Sequence, residues 1–409
     1  MRRIAWALLV LFVFTIPWEY SLVLPAPLGN VARIAGLLVL LAAVPAVLQT
    51  GRLRTPGPLQ WLVLAFYLWF CCTCFWTLDP LTTEIKMRGY FEEMMIVWLI
   101  WEFVESPRDL GVVLRAWVAG SWVLALLTLA NFAAAQAFAA AQIRFAAAGQ
   151  DPNDVARFLD LGLPLAALLF RCDQRWTARL MALGYLPLGL VAVLLTASRG
   201  GFVAAVAALA GCALVLGQGQ AKAAVVAVFA IPAVAATLWT ALPSSTLVRL
   251  ATIPAELQGG HLNQRLNIWS AGWHAFLRAP FVGTGAGTFA AAARLAPTDT
   301  AHNTMLTLAV SGGLCALFIA VAIVALAARS IAATRGLLRL TLATALTVWA
   351  ITSLVATVEE SRTTWLLLAA IALAGRLAAE CPDQLNACFA ARRGSSQPVI
   401  ATEPALLPE

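Results

Sequence analysis

Residues 302–328 read HNTMLTLAVSGGLCALFIAVAIVALAA, with no Asp, Glu, Lys or Arg in the whole run. About 20 apolar residues, each rising about 1.5 Å along a helix, cross a hydrocarbon core of about 30 Å. This stretch therefore predicts a membrane span that begins at a polar His-Asn-Thr edge. Similar runs between polar or Pro/Gly breaks predict spans at 4–20, 31–48, 58–76, 89–104, 110–138, 156–170, 180–197, 201–217, 222–240, 337–357 and 363–379. The fold expected is all-α: a polytopic membrane protein of about twelve transmembrane helices with one long non-cytoplasmic loop containing a surface helix. Helices one to nine fill 1–240, the loop 241–301, and helices ten to twelve 302–380. The polar stretch 381–409 reads as a disordered tail.

Composition agrees with the hydropathy. Of 409 residues, 61% are hydrophobic and 11% charged, against about 25% charged in soluble domains, and mean hydropathy is +0.84. So little polar surface cannot cover a water-soluble body of this size, so lipid must cover most of it. The net charge of +7 does not point to nucleic acid, because the cations sit in short turns rather than along one basic face. The eight cysteines fall in apolar runs or in segments assigned to the cytoplasm, so no disulfide or zinc ribbon is expected. Met1-Arg2-Arg3 before an apolar run resembles a signal peptide, but no small-x-small site follows, so a retained first helix is expected.

The positive-inside rule sets the orientation. With both termini in the cytoplasm, inner segments hold Arg2, Arg3, Arg52, Arg54, Arg108, Arg115, Arg171, Arg175, Arg179, Lys222, Arg329, Arg335, Arg339, Arg376, Arg392 and Arg393, the larger part of the 27 cations. The outer segments are then 77–88 with Lys86 and Arg88, 139–155 with Arg144, Asp151 and Asp154, the turn Ser198-Arg199-Gly200-Gly201, the loop 241–301, and Glu359-Glu360-Ser361-Arg362.

The long loop has structure of its own. Leu262, Leu266, Trp269, Trp273, Phe276 and Leu277 recur at three- and four-residue steps, the mark of one helix face, and Pro280 ends the run. A helix lying at the membrane surface would hold Arg265 at head-group height. Gly283-Thr284-Gly285-Ala286-Gly287 follows no strand and precedes no Lys-Ser/Thr, so it reads as a tight turn; the competing reading is a turn whose amides face an anion. His302 stands where loop becomes helix. A cap at Asp299 or Thr300 would place it in the first turn, where the helix dipole keeps an imidazole neutral. His261 and His274 are 13 residues apart and face different ways around a helix, so no metal site is expected. Arg199, in a tight turn at the membrane edge, needs an anion: Glu359 or Glu360, or a phosphate held by its forked donors. Arg199 and Arg265, with Arg88 or Arg157 and a neutral histidine, make a constellation able to hold a lipid pyrophosphate while a base deprotonates a hydroxyl.

In order, Thr196-Ala197-Ser198-Arg199-Gly200-Gly201, Arg265-Leu266-Asn267-Ile268-Trp269, Pro280-Phe281-Val282-Gly283 with Gly285, Gly287 and Phe289, Ala301-His302-Asn303-Thr304 and Gly312-Gly313 resemble the O-antigen ligase/polymerase superfamily. The resemblance implies a glycosyltransferase at the periplasmic face of the bacterial inner membrane, needing neither metal nor other cofactor. It implies a glycan donor linked to undecaprenyl pyrophosphate, a lipid A–core sugar hydroxyl as acceptor, and inversion at the anomeric carbon. On matching motifs, His302 and Arg265 are the catalytic pair, and Arg199 and Arg265 bind the donor. Asn303 serves in the substrate site and orients the histidine. A repeat-unit polymerase shares the donor chemistry; a protein O-oligosaccharyltransferase ordinarily carries extra soluble mass. A secondary transporter would show paired broken helices and more intramembrane acids than Asp160 and the Glu92-Glu93 pair.

Overall fold

The structure, a computed structural model, describes residues 1–25, 29–137, 144–218, 243–254 and 264–391. The span expected at 222–240, His261, Leu262, and the tail beyond 391 with Arg392 and Arg393 lie outside these residues. Described in full are α1 (Arg2–Thr15, continued by the tight turn Ile16–Ser21), α2 (Val31–Thr50), α3 (Pro58–Cys72), α4 (Pro80–Phe103), α5 (Pro107–Ala137), α6 (Pro152–Cys172), α7 (Trp176–Leu195) and α8 (Arg199–Gly217). The long loop contributes α9 (Ser244–Ala251), α10 (Arg265–Arg278) and α11 (Phe289–Ala293). Then follow α12 (Thr304–Ala333), α13 (Gly336–Ser353), α14 (Arg362–Glu380) and α15 (Pro382–Cys388). The only strand pairing among the described residues is Val23–Leu24 with Gly29–Asn30.

Nine of the described helices are long and apolar enough to cross a membrane, so the chain is an all-α, multi-pass membrane protein. The other two long helices, α4 and α6, carry more charge. Both begin earlier than hydropathy predicts, for the same local reason. Asp79 and Asp151 are N-caps, accepting from the amides of Thr82 (3.1 Å) and Asn153 (2.7 Å), and Pro80 and Pro152 follow at the first helical position, where a missing N–H costs nothing. The segment 77–88, expected as loop, is therefore mostly the first turns of α4. Residues 155–169 of α6 are all buried; this helix forms the centre of the bundle, packed by α5, α7, α8 and α13.

Ion pairs divide the molecule into two faces. On one, Arg2 meets Glu102 and Glu105, Arg115 meets Asp173, and Arg376 meets Glu380. On the other, Arg33 and Arg362 meet Glu92, Arg362 also meets Glu19, Lys86 meets Glu360, and Arg157 meets Asp154. Every such pair joins residues that the charge rule places on one side. The tail expected to be disordered from 381 is in part a helix: α15 buries Leu385, and Phe389 follows it into the core. Those two apolar side chains, four residues apart, share one helix face, a local signal weaker than the polar composition around it.

The glycine turn after α10 is structural. Gly283, Gly285 and Gly287 all have positive φ (70°, 110° and 74°), a region that side-chain-bearing residues rarely adopt. Its amides are occupied: Thr284 N–H donates to Val310 O (2.9 Å), Gly285 N–H to Ser311 O (2.9 Å) and Ala286 N–H to Thr73 Oγ1 (3.3 Å). Thr83 Oγ1 donates to Ala286 O (2.9 Å), so the projecting start of α4 holds the turn from the other side. The turn enters α12 at a break. Gly313 has φ +66° and ψ −162° inside that helix; Leu314 N–H bonds Pro280 O (2.8 Å) and Trp69 Nε1–H bonds Gly312 O (2.8 Å). The chain leaving α10 is thus bonded into α12. Gly313→Ala would place a Cβ against the Phe281 carbonyl at a φ that costs about 1–3 kcal/mol. The variant should unfold at a clearly lower temperature in detergent than the parent; an unchanged transition would contradict this role.

Candidate active site

Four segments meet on the Arg33–Glu92 face. The first is the turn 196–201. Ser198 caps α8, its Oγ accepting from Gly201 N–H (3.2 Å), which places Arg199 at the first helical position. Gly201 lies flat on Ala156 of α6, and a Cβ at Gly200 would fall 2.7 Å from Val355 Cγ2. Larger residues at either glycine would push the turn off its supports. The second segment is α9. Arg199 Nη2 donates to Thr252 Oγ1 (2.7 Å), and Arg249 Nε donates to Ala197 O (3.1 Å), so the start of the long loop is fastened to the Arg199 turn.

The third segment carries Arg265, the first residue of α10. Its helix buries Gly272, Ala275 and Phe276 against α11 and α12, leaving Leu266, Trp273 and Leu277 exposed. Trp269, expected on the apolar face of a surface helix, is half-buried, and its indole N–H bonds Ala301 O (2.8 Å). That bond ties the helix carrying Arg265 to the residue before His302. The fourth segment is 300–304. The expected cap at Asp299 or Thr300 is corrected: Asn303 is the N-cap, accepting from Leu306 N–H (3.0 Å). Asn303 wins because its oxygen reaches the free amide three residues on. His302 consequently stands just outside the helix, at φ +46°. Asn303 Nδ2 reaches Leu354 O (3.3 Å), and Thr304 Oγ1 donates to Ala356 O (2.9 Å) while accepting from Val358 N–H (2.9 Å). The loop 354–361 is buttoned onto the histidine turn by those contacts.

Positive φ at residues other than glycine occurs at four described positions: Ala197, Gln264, Arg294 and His302. Three of them adjoin or occupy the Arg199, Arg265 and His302 motifs. Strain of this kind gathers where a structure holds functional groups in imposed positions.

The electrostatics of the site are lopsided. Arg144 is held below the ordinary arginine range by burial first, then by Arg249, Arg265 and Arg199, with Asp151 opposing. Arg265 is held down by burial and then by Arg199, against Asp151. Arg144 is placed by Nε to Thr196 O (3.1 Å) and Nη2 to Asn153 Oδ1 (2.7 Å). Two like charges about 8 Å apart at an effective dielectric of about 20 repel by about 2 kcal/mol. Arg249, Arg265 and Arg199 all act on Arg144, with Asp151 opposing, and arginine's fork suits phosphate oxygens. His302 is pushed below its ordinary value by burial first and by Arg265 second, with Asp151, Asp154 and Asp299 opposing. Burial and Arg265, rather than a helix dipole, are what favour its neutral form. Thr300 Oγ1 lies 3.3 Å from Nδ1, leaving Nε2 as the nitrogen available to a substrate.

Arg199, Arg265 and His302 are thus brought together, with Asn303 holding the histidine turn. Arg157 lies deeper, 3% exposed, paired to Asp154 (2.9 Å) and stacked on Phe158. Arg88 is turned outward and pairs with Glu84 of its own helix. His274 is exposed on α10, its ring bonded to Ser270 O, and no grouping of metal-ligand residues occurs among the described residues. The sequence alone left Arg144, Arg249, Thr252 and Thr304 unassigned. Arg144 and Arg249 were visible as outer-segment cations, but only α9 and the 196–201 turn bring them beside Arg199.

Residues 184–321 match the family model described as O-antigen ligase. The match contains Arg199, Arg249, Arg265 and His302 but not Arg144, Arg157 or Glu359. No curated protein matches the chain.

Inorganic pyrophosphate should raise the unfolding temperature of the protein in detergent, and Arg265→Ala should remove most of that rise. Arg199→Lys should reduce it too, since a point charge does not replace a fork. Equal protection of all three proteins would rule out the arginine cluster as the anion site.

Proposed function

We propose that this chain, a member of the O-antigen ligase superfamily through residues 184–321, is the ligase of that superfamily. It would transfer a glycan from undecaprenyl pyrophosphate to a sugar hydroxyl of lipid A–core at the periplasmic face of the bacterial inner membrane. The family supports a membrane glycosyltransferase of the O-antigen ligase or polymerase type, working on a lipid-linked glycan and a lipid acceptor. The donor chemistry of this reading rests on one observation: four arginines converge beside His302; the preference for ligase over polymerase rests on the one long loop 241–301 in the sequence.

In this reading Arg199, Arg265, Arg144 and Arg249 hold the donor diphosphate. They bear the charge that develops on its bridging oxygen as the bond to the anomeric carbon breaks. His302 Nε2 takes the proton of the acceptor hydroxyl while that oxygen attacks the anomeric carbon from the opposite side, so configuration inverts. The imidazolium so formed lies near Asp151 and Asp154, which offset its charge. The departing diphosphate takes a proton in turn, and the histidine is restored.

The base must be neutral to act, so the rate falls as pH drops through its pKa. Burial and Arg265 hold that pKa below 6.5. The acid limb of kcat/KM should therefore lie below pH 6.5. Asp154→Asn should move it lower still, because the carboxylate that favours the charged form is gone. His302→Ala should abolish transfer while the protein stays inserted. A limb at or above pH 6.5, or near-normal transfer by the alanine variant, contradicts the role.

A deletion strain examined by lipopolysaccharide gel separates the two superfamily activities. Loss of all O-chains with lipid-linked polymer accumulating is expected. A core bearing a single repeat unit would make the chain the polymerase instead, and an unchanged ladder would exclude both.

A further inference from the structure

Past Asp154, away from the four arginines, lies a second group of buried polar side chains that donor binding does not use. Arg157 spends Nη2 on Asp154, but its Nε and Nη1 have no hydrogen-bond partner. Glu359 is 4% exposed and neither carboxyl oxygen is bonded. Ser361 Oγ and Thr363 Oγ1 are buried and unbonded as well, as is Glu93 Oε2. Arg157 and Glu359 are electrostatic neighbours, and Glu93 sits near Glu359 from α4. The backbone beneath Glu359 is fixed by Trp365 Nε1 to its carbonyl oxygen (2.8 Å) and by the bond from Val358 to Thr304. These groups are consequently held in place without being satisfied.

A buried polar atom left unbonded costs about 1–3 kcal/mol, and native interiors leave few of them. Such a concentration beside a reaction centre marks a place that polar matter fills. Its signs restrict what that is. Asp154 already offsets Arg157, the cation of this cluster, so a phosphate finds no unbalanced positive charge here. Burial holds the Glu359 carboxyl protonated up to about 8, so a metal cation finds little negative charge either. A sugar hydroxyl both donates and accepts, and so can satisfy the guanidinium, the carboxyls and the two hydroxyls together. The cluster also adjoins the base, since Asp154, bonded to Arg157, is among the charges that His302 feels.

We propose that Arg157, Glu359, Ser361 and Thr363, with Glu93 behind them, form the acceptor subsite, and that it takes an uncharged, polyhydroxylated sugar. The inference rests on the transferase reading above. The site is bipolar: cations hold the donor's diphosphate on one side of His302, and a mixed, uncharged-ligand subsite presents the nucleophilic hydroxyl on the other.

The test measures acceptor and donor separately on the full-length protein in nanodiscs. Binding of phosphate-free core oligosaccharide and of the strain's repeat-unit oligosaccharide is read by saturation-transfer NMR; binding of polyprenyl diphosphate is read by thermal shift. Glu359→Ala should weaken oligosaccharide binding, and raise the acceptor KM, at least tenfold, with diphosphate binding changed less than twofold. Ser361→Leu, which replaces the unbonded hydroxyl with a bulkier apolar group, should do the same, and keeps the test alive if the first variant does not fold. The proposal is overturned if both variants bind the sugars as the parent does, which would leave water alone in the cluster. It is equally overturned if the diphosphate, rather than the sugar, loses affinity. A parent that binds oligosaccharide in this Glu359-dependent way but transfers no glycan would refute the transferase reading and leave the sugar site standing. A parent that binds neither sugar refutes the subsite whatever its transfer activity.

Discussion

A cation at the edge of a hydrocarbon layer must be given an anion, because the bilayer offers neither water nor counter-charge. Much of this structure follows from how that demand is met. On one face Arg2, Arg115 and Arg376 are each given a carboxylate. On the other, Arg33 and Arg362 share Glu92, and Arg362 also takes Glu19. Beside them Arg144, Arg199, Arg249 and Arg265 are gathered, with Asp151 an acid that Arg144 and Arg265 feel. The first arrangements resemble structural pairing, whereas the last concentrates guanidiniums in one place, and that concentration is what suits it to hold an anion.

The site is assembled from distant parts of the chain, and its pieces are bonded to one another. Trp269 links the helix of Arg265 to Ala301. Thr252 and Arg249 link α9 to the Arg199 turn. Thr304 and Asn303 link the histidine turn to 354–358. Beyond these, the glycine turn after α10 bonds into the break in α12. Moving Arg265 relative to His302 therefore means breaking hydrogen bonds rather than rotating a hinge, which is what a reaction with a charged leaving group requires of its stabilising groups.

Positive φ at Ala197, Gln264 and His302 shows the cost of that placement locally. Each residue would relax in a free peptide, and each is held by bonds made elsewhere. The same logic explains the polar atoms left unbonded around Arg157 and Glu359, where burial also pushes the Glu359 carboxyl up to about 8.

Hydropathy located the nine described helices that are long and apolar enough to cross a membrane, because burial in lipid needs an unbroken apolar run and such runs are local. The periodicity of 262–277 likewise determined the helix of Arg265, and the ordered motifs singled out Arg199, Arg265 and His302. What local patterns could not carry was decided by tertiary contact. The early starts of α4 and α6 came from Asp-Pro caps outside the apolar runs. The cap before α12 moved to Asn303, whose amide nitrogen is also bonded to Leu354. Arg88, equal to the others by sequence, turned outward to Glu84, while Arg144 and Arg249, unremarkable by sequence, joined the cluster. Charge type is written in the chain residue by residue, but which charges gather depends on neighbours 50 or 100 positions away, and only the fold brings those together.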